Sequence, residues 1–148
     1  MQHESEFTDE EMAILRPMFL KSGREYIRDF QAALDEVKTG PLDDATLEAM
    51  HRSIHSLKGA AMQLRVIHIG TLAQAMEAVA KTARAAGVAI PPEGVELLKE
   101  GIGRLLTYLD SLENDQGQVE PPGALLGRLE GVAESMTRIP PRRKATEE

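Results

Sequence analysis

The chain has 148 residues, no cysteine and a formal charge of -7, which suits one domain of ordinary size and excludes disulfides, thiolate metal sites and a cysteine nucleophile. With no Trp, two Tyr and three Phe, it lacks both the cationic footprint and the stacking aromatics of a nucleic-acid binder. The acidic opening MQHESEFTDEE does not read as a secretory leader and no apolar run approaches the ~20 residues of a membrane span, so a soluble, cytoplasmic protein is expected.

Apolar spacing is helical nearly throughout, and no Val/Ile-rich alternating run or solenoid repeat interrupts it. Residues 1–8 read as a flexible N-terminus. Thr8 to Glu11 has the form of a capping box, so a helix should begin there. Pro17 lacks a backbone N–H and clashes with the preceding turn, which predicts a short first helix, a break or kink, and a longer helix to about Val37. Phe19, Gly23, Tyr26, Phe30, Ala33 and Val37 form its apolar stripe, and Gly40-Pro41 should end it.

Asp43 or Asp44 should cap the next helix, which carries the cleanest stripe: Leu47, Met50, Ile54, Leu57, Ala61 and Leu64. Leu72, Met76, Val79 and Ala83 repeat the pattern on a helix closed by Gly87. Pro91-Pro92 opens another, striped by Val95, Leu98, Ile102, Leu105, Leu109 and Leu112. Pro121-Pro122 then precede a weaker stripe of Leu125, Leu129, Val132 and Met136, diluted by glycines.

These elements predict an all-α protein: an antiparallel up-down four-helix bundle with a short N-terminal helix and an accessory C-terminal helix. The bundle should cover residues 9–115, a linker and accessory helix 116–139, and a solvated tail 140–148.

One residue does not fit the core. His55 points roughly 130° away from the stripe of its helix and should face water. Arg52, Lys58, Gly59 and Met62 share its face at helical spacing. An imidazole in water titrates near ~6.5 and owns a lone pair at neutral pH. A lysine one turn on can offset phosphoryl charge. An exposed mid-helix glycine costs about 1 kcal/mol, and its use would be clearance for an active site closing over the imidazole.

His55-Ser56-Leu57-Lys58-Gly59-Ala60-Ala61 resembles the H-x-hydrophobic-K-G-small-small signature of histidine-containing phosphotransfer (HPt) domains. The likeness extends to the helix layout over residues 9–115. It implies that His55 is the phosphoacceptor, Lys58 its charge partner and Gly59 the clearance residue; His51, Arg52 and Met62, placed beside them by helical spacing, are the supporting residues. It further implies a phosphorelay intermediate that accepts a phosphoryl group from an aspartyl phosphate on a response-regulator receiver domain and passes it to another. Receiver domains and a histidine kinase would be its partners, and magnesium would sit on the receiver; no cofactor of its own is implied. Chemotaxis-type histidine kinases carry a similar phosphoacceptor domain, fed by ATP through a separate kinase domain. Where the family commonly continues G-x-hydrophobic-G, this chain has Met62-Gln63-Leu64-Arg65.

Two other classes remain open, a metal-binding or hydrolytic bundle and a plain interaction bundle. His51 and His55 could share an ion, with His68 as a third ligand. Against it, Arg52-Ser53-Ile54 supplies no carboxylate, Arg52 and Lys58 would repel a cation, and H-E-x-x-H is missing, so no metal is expected. Gly101 and Gly103 lie in a helical stripe with no Lys-Ser or Lys-Thr after them; with no Walker-type loop the chain should not act as a stand-alone kinase.

Overall fold

The computed structural model describes residues 7–39, 43–114 and 121–138. Among these residues five helices follow in order: α1 (Asp9–Thr39), α2 (Asp44–Gln63), α3 (Ile67–Ala86), α4 (Pro92–Glu113) and α5 (Gly123–Met136). Most of the N-terminal segment, the Gly40-Pro41 stop, the start of the linker and the tail expected at 140–148 lie outside the described residues.

Local signals set the helix starts. The Thr8 amide donates to Glu11 Oε1 at 2.9 Å and the Glu11 amide to Thr8 Oγ1 at 3.0 Å, a reciprocal capping box. Asp43 caps α2 by accepting from the Ala45 amide at 3.1 Å, and Pro92 begins α4 where a missing N–H costs nothing. The break expected at Pro17 is not realised as a separate helix. Pro17 lies inside the continuous α1, and the short N-terminal helix is its first turns. Those turns start from a satisfied cap, and the helix continues into a long buried stripe that offsets one lost hydrogen bond.

The helices close a ring: α1 packs on α2, α2 on α3, α3 on α4, and α4 back on α1. Helix α5 lies outside this ring against α3 and α4, through Leu125, Leu129, Val132 and Met136. Short connections and this neighbour order give the up-down bundle. The predicted stripes are the core, with Phe30, Leu47, Met50, Ile54, Leu57, Leu72, Met76, Leu98, Leu105 and Leu109 almost wholly buried. Contacting three other helices, α3 is buried over most of its circumference. Among the described residues no helix is long and apolar enough to cross a membrane.

The α2–α3 corner fixes the site. Gln63 ends α2, and Arg65 takes the left-handed conformation (φ 62°) that glycine commonly holds there. Its amide bonds the Met62 carbonyl at 3.0 Å and the Val66 amide bonds Ala61 at 2.8 Å, a Schellman closure made without glycine. The two helices then run antiparallel in a readable register. Met62 lies over Gly70, where an added Cβ would come 2.7 Å from the Met62 sulfur. At the far end of the pair, Arg84 grips Asp44 through Nε at 2.7 Å and Nη2 at 3.1 Å. On the opposite side of the ring, Arg24 ties α1 to α4 through Asp110 at 2.8 Å and Glu113 at 2.9 Å.

Two glycines on α4 separate helix propensity from packing. A Cβ at Gly103 meets open space, whereas one at Gly101 comes 2.7 Å from the sulfur of the buried Met76. Gly103→Ala should therefore raise unfolding stability by about 1 kcal/mol. Gly101→Ala should lower it, because overpacking a filled core costs about 1–3 kcal/mol. Denaturant titration of both variants checks the pair.

Candidate functional site

His55 sits midway along α2 with 60% of its side chain exposed, as its angle from the apolar stripe requires. Its ring is not isolated. Nδ1 lies 2.7 Å from Oε2 of Glu77, a residue on α3 whose side chain is only 8% exposed. His51, one turn earlier on α2 and half-buried, places Nε2 2.9 Å from the same oxygen. Lys58, one turn later, places Nζ 2.7 Å from the other oxygen, Oε1. One carboxylate thus collects three partners from three successive turns of the facing helix.

The local reason is spacing. His51, His55 and Lys58 are four and three residues apart, so they share a face of α2. On α3 the small residues Ala73 and Ala80 flank Glu77 at i−4 and i+3, buried with it, so α2 can approach closely enough for direct bonds.

Burial alone would raise the Glu77 carboxyl. Hydrogen bonds from Lys58, His55 and His51, together with the Lys58 charge, outweigh it and hold the group below the ordinary carboxylate value. Glu77 is therefore ionised at neutral pH and can only accept. Both imidazoles must donate to it: His55 through Nδ1–H, His51 through Nε2–H. The tautomer of a neutral His55 follows, with its lone pair on Nε2, the nitrogen turned away from the carboxylate.

The other residues singled out from sequence fall as follows. Gly59 is exposed, and a Cβ there would have nothing within 4 Å, so the space beside His55 is open. Arg52 is exposed on the same helix and Met62 lies at its end, partly exposed over Gly70. The Lys58 ammonium, expected beside the imidazole to offset phosphoryl charge, is engaged by Glu77. His68, weighed as a third metal ligand, is elsewhere: its ring meets Tyr108 edge-on at 4.8 Å and burial lowers its basicity. Glu77 brings His51 and His55 the carboxylate that the intervening α2 residues lack.

Sequence reasoning missed Glu77. A signal was present, since it is the sole acidic residue between Glu48 and Glu93, on a helix otherwise apolar around most of its surface.

Next to the His55 face, α1 and α2 enclose a shallow groove of about 190 Å³. Leu15, Met18, Phe19 and Tyr26 line one side and Ala60 and Leu64 the other. Ile14 and Met18 extend this apolar surface into solvent.

The model of the Hpt domain family matches residues 15–115, more than half of the chain. The chain belongs to the Hpt domain family. Members of this family serve histidine phosphotransfer in two-component phosphorelays, working with receiver domains and kinases. A search of curated proteins found no significant relative. The matched span holds α2 and α3 entire, and with them His51, His55, Lys58, Gly59 and Glu77.

The ionised Glu77 gives a signed pH dependence. Its depressed carboxyl contributes stability that is fully present above the ordinary value of about 4.5 and is lost as pH falls through the lower folded value. Glu77→Gln has no such group. The stability advantage of the wild type over this variant should narrow as pH drops from about 5 to about 3, read by thermal or urea unfolding across that range.

Proposed function

We propose that this Hpt domain is a phosphorelay intermediate that takes a phosphoryl group onto Nε2 of His55 from the aspartyl phosphate of one receiver domain and delivers it to another. The observation that carries the reading is the bond from His55 Nδ1 to the buried, ionised Glu77, which leaves an exposed lone pair on Nε2.

In the forward step the Nε2 lone pair forms the N–P bond while the bond from phosphorus to the aspartyl oxygen breaks and the carboxylate leaves. No proton has to move. The ring gains positive charge as the bond forms, and Glu77 faces that charge across 2.7 Å through the proton it already holds. In the return step the same carboxylate keeps Nδ1 protonated, which makes the imidazole a better leaving group.

Lys58 acts from within this network. Its ammonium keeps Glu77 ionised against burial, and one turn from His55 it adds positive charge near the arriving phosphoryl oxygens. His51 fixes the second lone pair of Oε2 and so the orientation of the carboxylate. Gly59 leaves room for in-line approach. Arg52 and Met62 border the docking face, and the apolar groove between α1 and α2 is the surface a receiver would cover. Magnesium bound by the receiver would supply the remaining charge neutralisation. A cytoplasmic setting belongs to the same proposal.

The test is incubation of the chain with phosphorylated receiver domains of its host, followed by assay for an acid-labile, alkali-stable label. His55→Gln should take up no label and still fold, at a cost of about 1.5–3 kcal/mol for the bond it loses to the ionised Glu77; a labelled variant refutes the assignment. Gly59→Leu should fold as well as the wild type or better, given helix propensity, yet transfer at least about tenfold more slowly, a rise of about 1.4 kcal/mol in barrier. Unchanged transfer would remove the clearance role.

A further inference from the structure

His51 Nε2, His55 Nδ1 and a Glu77 carboxylate oxygen converge from two helices, all within 4.8 Å of one another. We infer that this triad also binds a divalent transition ion of the zinc, cobalt or nickel kind, and that the bound ion silences His55 by relocating its ring proton.

Two imidazole nitrogens and one carboxylate oxygen are the donor set such ions prefer, and three protein ligands leave a position for water. Ligand atoms about 2.0–2.2 Å from a tetrahedral ion stand about 3.3–3.6 Å from one another. Here the carboxylate oxygen is 2.7 Å and 2.9 Å from the two nitrogens, so it must recede by roughly half an ångström while the rings turn inward.

Lys58 does not block the site. It bonds Oε1, and both histidines bond Oε2, so Oε2 can ligate the ion while Lys58 keeps its own partner. With Glu77 and Lys58 cancelling in charge, the cation enters a locally neutral site, with the exposed Arg52 as the nearby uncancelled positive group on α2.

The effect on phosphotransfer follows from the tautomer. An ion on Nδ1 needs the lone pair there, so Nδ1 gives its proton to solvent and Nε2 takes one up. The ring stays neutral and the proton count of His55 is unchanged. Nε2 now carries a hydrogen and has no lone pair for phosphorus. The ion therefore inhibits without touching the reacting nitrogen. At His51 the proton moves the other way, from Nε2 to Nδ1. The binding half of this inference stands independently; the silencing half rests on His55 being the phosphoacceptor.

The experiment titrates the full chain with Co²⁺, read by visible absorption, and with Zn²⁺, read by calorimetry and by ¹⁵N imidazole spectra. Phosphoramidate serves as phosphoryl donor, so no receiver magnesium site is present to compete. One ion per chain, a His55 proton shifted from Nδ1 to Nε2, and a fall of at least about tenfold in phosphoryl uptake that chelation reverses would support the inference. His51→Gln and Glu77→Gln should each weaken binding by about tenfold or more and make uptake, whatever its level in the variant, insensitive to Zn²⁺. Absence of stoichiometric binding, or binding undiminished in both variants, overturns the site. Stoichiometric binding with undiminished uptake overturns the silencing alone. A chain that, without metal, takes up no label from phosphoramidate or from the phosphorylated receivers of the preceding assay refutes the phosphoacceptor reading and leaves the Co²⁺ result to judge the site by itself.

Discussion

A carboxylate held out of water between α2 and α3 is the constraint around which this bundle is arranged. An ionised group so placed is costly unless its lone pairs are taken, and Glu77 meets that demand with two imidazoles and an ammonium drawn from the facing helix. Several features of the fold serve the arrangement. Small residues on α3 bring the backbones close, Gly70 admits Met62 at one end of the interface, and the Arg84–Asp44 pair fixes register at the other. A slip of one residue between the helices would leave the carboxylate facing the wrong turn.

The same contact divides the labour of one histidine between its two nitrogens. Nδ1 belongs to the protein's interior order, and Nε2 belongs to solvent and whatever docks there. Exposure by itself would leave the tautomer to chance and let the ring rotate. Anchoring one nitrogen to a buried acceptor gives orientation without taking the ring out of reach, so the site combines access with alignment, which ordinarily oppose each other.

Much of this was legible in the chain itself. The stripes of Leu47 to Leu64 and Val95 to Leu112 gave the helices because period 3.6 is imposed by burial on one side, and the caps at Thr8, Asp43, Pro92 and Gly87 fell where their chemistry allows. His55 and Gly59 stood out as residues out of keeping with their own helix. Pro17 misled, since local strain was judged without the tertiary burial that overrides it. Glu77 escaped for a different reason. Helical spacing relates residues within one element, whereas the partnership of residue 77 with residue 55 depends on how two elements pair, and that register is set by the Arg65 turn and by side chains far along the interface.

The position of α5 has a consequence for anyone who would trim this protein. The family match ends at residue 115, but Leu125, Leu129, Val132 and Met136 lie beyond it against α3 and α4. The match also begins past the Thr8–Glu11 box that starts α1. A fragment cut at the matched limits would lose that cap and lay bare the apolar backs of two core helices, α3 among them. Since α3 carries Glu77, solvent admitted behind it would loosen the carboxylate from the rear, and a shortened chain could keep every signature residue while losing the rigidity that aims the imidazole.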